Sequence, residues 1–213
     1  MIITYLGLEA FKIQFGDTTI ALNPISKDSK QKSSRFGADI ALVSLNDKDF
    51  NGVDNVARGD KQPFVINGPG EYEIKGIFIK GFKTESFYGG AKEPRINTVY
   101  TIALEGMNLC FLGAFDSKDL PTDTNEAIED IDVLFMPVGG EGNFSAATAY
   151  DLAVKLEPKL IIPMNYSGAD DKNLKLFLKE AGEEKIQPEE KLTLKRKDLD
   201  GKEAAVVVLV PSL

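Results

Sequence analysis

Asp47 and Asp49 lie two residues apart, delivered by the apolar run Ile40, Leu42 and Val43 into the polar loop Asn46-Asp47-Lys48-Asp49. Carboxylates paired at a strand end can hold a hard cation or pass a proton. Glu9, Lys83, Asp116, Asn165 and Tyr166 are the other side chains that could join them in a polar site. The chain has no histidine and one cysteine, Cys110. Ser-His-Asp and Cys-His catalysis, imidazole metal sites and histidine-based pH switching are thereby excluded. Cys110 falls in the apolar run Leu109-Cys110-Phe111-Leu112, where a core thiol is expected rather than a nucleophile.

The elements that must position these groups read as many strands with a few late helices. Residues 2–6, 11–15 and 18–22 have strand character, with a hairpin at Gly16-Asp17, and 26–37 is a polar loop. Phe64 to Ile66 reads as a strand, Asn67 to Glu73 as a turn, and Ile74 to Phe82 as the next strand, with a second loop at 83–95. Residues 97–104 and 107–112 form a hairpin, 123–129 a short helix, and 133–138 a buried strand ending at Gly139-Gly140. Ser145 is placed to cap a helix whose Ala146, Ala149, Leu152, Ala153 and Leu156 share a face. After a strand at 160–162, Asp170 or Asp171 caps a helix burying Leu174, Phe177, Leu178 and Ala181; strands near 191–196 and 204–210 close the chain.

A length of 213 residues and an apolar fraction of 43% predict a single globular domain over 1–213. With 25 basic and 33 acidic residues the formal charge is −8, and no basic cluster offers a nucleic-acid footprint. No basic leader opens the sequence and no apolar run is long enough for a membrane span. A soluble, cytoplasmic protein with no membrane or nucleic-acid partner is expected.

Tyr5-Leu6-Gly7 with Phe11, Leu22-Asn23-Pro24, Ala38 to Ser44 with Asp49 in the following loop, Gly113, and Pro158 to Tyr166 come in a familiar order and spacing. In this the chain resembles the metallo-β-lactamase superfamily, on the branch of small ascorbate-6-phosphate lactonase-like hydrolases, over roughly residues 1–168. The resemblance implies an α/β four-layer αββα sandwich: two mixed β-sheets flanked by helices, with a metal site on loops at one edge.

The same resemblance shows the liganding positions changed. The histidine after Leu-Gly is Leu8, and the Thr-His-x-His-x-Asp-His loop reads Ser44-Leu45-Asn46-Asp47-Lys48-Asp49-Phe50. The third-motif histidine falls near Lys83, the bridging aspartate on Ala114 with Asp116 two residues late, and the last histidine on Asn165. Zinc is held by imidazole or thiolate, so an ordinary dinuclear zinc site and its hydroxide nucleophile are not expected.

Three readings follow. In the first, the fold is kept as a degenerate binding or interaction protein without a cofactor, and a Lys83–Asp49 pair replaces the charge of the lost metal. If Leu8, Leu45, Phe50 and Ala114 pack together, the pocket closes and a protein partner or self-association is favoured over a small molecule. In the second, Asp47, Asp49 and Asp116, with Asn165 and Glu9, hold Mg²⁺, Mn²⁺ or Ca²⁺ for hydrolysis of a phosphoester or lactone. In the third, Asp49 acts as a metal-free general acid or base, with Tyr166, Lys83 or Glu9 as partners. Asn165 would orient a substrate or simply satisfy backbone groups at its strand end.

Overall fold

The computed structural model describes residues 1–139 and 144–212. Three short strands, β1 (Ile2–Tyr5), β2 (Phe11–Phe15) and β3 (Thr18–Leu22), form an antiparallel meander in which Tyr5 faces Phe11 and Phe11 faces Leu22. Alternation sets their faces: Ile3, Ile13, Ile20 and Leu22 point into the main core, whereas Ala21 points the other way. Strands β4 (Ile40–Leu42) and β5 (Phe64–Ile66) then add in parallel on β3. Between them a 3₁₀ turn, Val53–Val56, covers the outer face, where Val56 packs with Ala21, Ala38 and Ala41.

The second half of the chain builds the opposing sheet. Its elements are β6 (Gly70–Ile74), β7 (Ile77–Ser86), β8 (Arg95–Leu104), β9 (Met107–Phe111), α1 (Thr122–Ala127), β10 (Val133–Pro137), α2 (Ala146–Lys155), β11 (Leu160–Met164), α3 (Lys172–Glu180), β12 (Leu192–Thr193) and β13 (Ala205–Val206). The sheet order is β13-β11-β10-β9-β8-β7-β6, antiparallel from β6 to β9 and parallel onward. Strand β12 crosses back to complete the first sheet, in the order β12-β1-β2-β3-β4-β5.

The two mixed sheets face each other across one apolar core, which rings join directly. Phe11 of the first sheet meets Phe135 of the second edge-on at 4.8 Å, and Phe135 meets Phe111 at 6.0 Å. Helix α2 packs on β10 and against α3; the Ser145 hydroxyl caps α2 by accepting the Thr148 amide, and Asp171 caps α3. The expected architecture of two mixed sheets with a few helices is therefore present. Cys110 is buried in that core, and burial pushes its thiol up to about 12, which fits packing and not reactivity.

Several boundaries differ from those the sequence predicts. Gly70 to Ile74 is a strand and not a turn, because it pairs residue for residue with Ile77 to Gly81 across the tight turn at Lys75-Gly76. Strand β7 runs on to Ser86, so Lys83 to Ser86 belong to a ladder with Arg95 to Thr98 and not to a loop. The closing strands are shorter than expected, with a 3₁₀ turn at Arg196–Leu199 between them. Gly140, the end of the predicted Gly139-Gly140 terminus of β10, lies outside the described residues.

Candidate functional site

The ends of β1, β3, β4, β7, β9, β10 and β11 open on one edge of the sandwich, and a cleft of about 370 Å³ lies there. Strand ends gathered at one edge are the usual place for a ligand in such sheets. Glu9, Asp49, Phe87, Tyr88, Phe115 and Asp116 line it, with Asn165 and Gly139 on the side of β11 and β10.

The backbone at this edge is unusually bent. Leu8, Asn23 and Asn165 each follow a strand and hold positive φ, at 50°, 40° and 64°. Asparagine tolerates that region, but a leucine there is held by its surroundings. The Leu8 carbonyl accepts the Tyr5 hydroxyl at 2.8 Å and also the Asn165 amide, which ties β1 to the end of β11.

Beneath the cleft runs a chain of buried polar side chains. Asn23 donates to Glu9 Oε2 at 3.0 Å and to Ser44 Oγ at 2.8 Å, and its own oxygen accepts the Ser44 amide. Asn97 accepts the Ala114 amide at 3.0 Å and donates to Thr84 and to the Leu112 carbonyl. This network fixes the loop after β9 against the end of β4, and Gly113 lets the two approach: a Cβ there would collide with Ser44.

Four of the positions matched to metal ligands, Leu8, Leu45, Phe50 and Ala114, are filled with apolar atoms. Leu45, Phe50 and Ala114 form a buried cluster, with Leu8 and Tyr88 packed against it. Phe50 is fully buried and packs at 4.6 Å against the tilted ring of Tyr88. The expected packing of Leu8, Leu45, Phe50 and Ala114 is thus present. It does not close the edge, because the cleft persists beside Ala114.

The two loop aspartates part company. Asp47 turns away from the cleft to Arg95, whose guanidinium reaches Asp47 Oδ2 at 2.9 Å and the Asn46 carbonyl at 2.6 Å. Partial burial acts to raise the Asp47 carboxyl, but Arg95 and the Asp49 amide outweigh it and hold the carboxyl below its ordinary range. Asp49 stays at the cleft with both oxygens engaged: Ser29 donates to Oδ1, and Tyr88 donates to Oδ2 at 2.9 Å. Burial, and the hydrogen bond given to Asp49, push the Tyr88 phenol well above its usual value, so it remains a donor. The loops at 26–37 and after β7 therefore both reach this edge, through Ser29 and through Phe87, Tyr88 and Gly89.

Two expectations are corrected. Lys83 forms no pair with Asp49: it is exposed on β7 opposite Thr98 and lines a separate groove with Ser117 and Asp119. Three residues further along β7, Ser86 is the side chain that points inward, with Oγ 3.4 Å from Asp116 Oδ2. Tyr166 is buried and its hydroxyl donates to the Leu209 carbonyl, so it anchors the C-terminal segment instead of lining the cleft. Asn165 does line the cleft, and its amide donates to the Gly139 carbonyl at 2.6 Å.

Glu9 and Asp116 carry the unusual electrostatics. Glu9 is 1% exposed, and burial, with Asp116 nearby and against the Asn23 hydrogen bond, pushes its carboxyl up to about 8. Asp116 is raised by burial despite the Phe87 amide at 2.7 Å and the Ser86 hydroxyl. Glu9 Oε1 and Asp116 Oδ1 are buried and have no hydrogen-bond partner among the described residues. Among the described residues, no three carboxylate or thiol side chains converge as ligands for an ion, so Asp47, Asp49 and Asp116 form no oxygen cage.

The comparisons agree with this geometry. A family model described as a β-lactamase superfamily domain matches residues 2–165. The chain belongs to the metallo-β-lactamase superfamily. A superfamily protein of Thermotoga maritima, assigned by inference as a Zn-dependent hydrolase, is 29% identical with a TM-score of 0.74, over 98% of this chain and 97% of that one. Two more distant structures align with TM-scores of 0.66 and 0.62. One is from Parabacteroides distasonis, at 18% identity over 99% of this chain and 93% of its own, and the other is the metallo hydrolase Igni18 of Ignicoccus hospitalis, at 17% over 100% and 96%. These two show the fold alone. No curated protein matches the chain. The zinc that this superfamily implies does not fit the residues present, since four of the liganding positions hold Leu8, Leu45, Phe50 and Ala114 and no imidazole exists in the chain. Among the described residues no helix is long and apolar enough to cross a membrane.

Proposed function

We propose that this chain is a metallo-β-lactamase-fold domain that has exchanged its zinc site for an apolar plug and acts by binding a small molecule in the cleft beside that plug. The observation carrying this reading is the buried cluster of Leu45, Phe50 and Ala114 under Leu8 and Tyr88. Unpaired ligand side chains left without a metal would be costly to bury, and apolar replacement removes that cost. The motif order is that of the ascorbate-6-phosphate lactonase-like branch, but the metal-dependent chemistry of that branch does not carry over to these side chains. A cleft that stays open beside the plug favours a small ligand over a protein partner or self-association.

A second reading is supported by Glu9. A carboxyl pushed up to about 8 is mostly protonated at neutral pH and can serve as a general acid for phosphoester or lactone hydrolysis without metal. Elemental analysis of the purified chain, with thermal shift on adding Zn²⁺, Mn²⁺, Mg²⁺ or Ca²⁺, tests the first reading. Neither stoichiometric metal nor stabilisation is expected, and zinc-dependent turnover would overturn it. Turnover in EDTA that is lost in Glu9→Gln would favour the second.

A further inference from the structure

We propose that the cleft takes a ligand bearing a protonated primary amine or amidine, with Glu9 and Asp116 as acceptors and Phe87, Phe115 and Phe144 as the wall for its apolar part. This rests on the reading of the chain as a small-molecule binding domain. The inference starts from two buried atoms that have no partner among the described residues, Glu9 Oε1 and Asp116 Oδ1. A buried carboxyl oxygen without a partner costs on the order of 1–3 kcal/mol, and a ligand that draws the Glu9 and Asp116 side chains toward the cleft would relieve that cost. Both residues line the same cleft, and Glu9 is 1% exposed.

The charge of the missing partner follows from the lining. Glu9, Asp49 and Asp116 bring three carboxyl groups, and none of the described lining residues is basic. Asp49 already holds Ser29 and Tyr88, so the unsatisfied acceptors are Glu9 and Asp116. Asn165, whose nitrogen is committed to the Gly139 carbonyl, presents its oxygen as the remaining polar group of its side chain. An anion would find no basic side chain here and a carboxyl donor only where a proton is kept, whereas an ammonium group draws Glu9 and Asp116 toward their ionised, accepting forms. A metal ion would need a converging set of ligands that the described residues do not provide. An ammonium or amidinium group carries several N–H donors and can bridge two acceptors set apart from each other.

The apolar requirement is equally local. Phe115 and Phe144 meet edge-on at 6.4 Å, and with Phe87 they give the cleft aromatic lining next to its carboxyl groups. The volume of about 370 Å³ accommodates a single ring with a short cationic arm.

The test uses the full chain, treated with EDTA, titrated calorimetrically at neutral pH with four probes: benzylamine, benzamidine, benzyl alcohol and benzoate. Benzylamine and benzamidine are expected to bind, with benzyl alcohol and benzoate weaker by about tenfold or more. Glu9→Gln, which keeps an acceptor for Asn23, and Asp116→Asn should each weaken benzylamine by about tenfold. The comparison of the four probes on the unmodified chain stands even if a variant fails to fold. Benzoate or benzyl alcohol binding as tightly as benzylamine would overturn the amine assignment while leaving the binding-domain reading in place, as would unchanged affinity in both variants. Silence from all four probes also overturns it. Zinc-dependent hydrolysis would instead remove the reading on which it rests.

Discussion

Tyr88 donates its hydroxyl to Asp49 Oδ2 at 2.9 Å, while its ring packs at 4.6 Å on Phe50. One residue thus ties the loop after β7 both to the plug and to the last aspartate of the old ligand motif. Tyr88→Phe keeps the ring and removes the bond. A loss of about 1 kcal/mol in denaturant unfolding, with an unchanged slope, is the expected result.

Glu9 makes stability fall as pH rises. Its folded value of about 8 lies above the ordinary 4.5, so the folded chain holds the proton more tightly than the unfolded chain. The contribution is complete below 4.5 and is lost progressively as pH climbs to about 8, beyond which it stays lost. Thermal melts across that range should show the decline, and Glu9→Gln should remove this component of the slope.

Gly113 sits at φ +59°, with Ser44 where a Cβ would go and Asn97 Oδ1 2.9 Å from it. Gly113→Ala therefore combines a disfavoured backbone with a collision inside the buried network. A destabilisation of about 2 kcal/mol or more is expected by chemical denaturation.

Phe50 stands fully buried at a former ligand position. Phe50→Ala should cost about 3–5 kcal/mol, the range of a large cavity in a packed core. Chelation with EDTA should leave the melting temperature of the unmodified chain where it was. A drop on chelation that zinc reverses would contradict the plug.

The sequence carried the parts of the site that depend on residue type, and lost those that depend on reach. Leu8, Leu45, Phe50 and Ala114 were identifiable because apolar residues at four matched positions have one physical outcome, burial together. Motif spacing puts Lys83 near the third histidine position, but hydrogen bonding to β8 carries β7 on to Ser86 and turns Lys83 outward. The Gly68-Pro69-Gly70 run hid β6, an edge strand that tolerates such residues. The pairing of Asp47 with Arg95 spans 48 residues, and no local spacing signals it. Glu9 stood among the candidates, but its isolation from cations is a property of the assembled cleft alone.

Strand β12 gives the first sheet an order of events. Ile2 pairs with Thr193 and Ile3 with Leu192, so the edge of the β1–β2 hairpin is completed by residues made only after all of β6 to β11. A nascent chain must carry β1 with an open ladder until the segment after α3 has emerged, and closing so long a loop is slow. During that interval the exposed rim of β1 is a place for chaperone capture or for pairing with another unfinished chain.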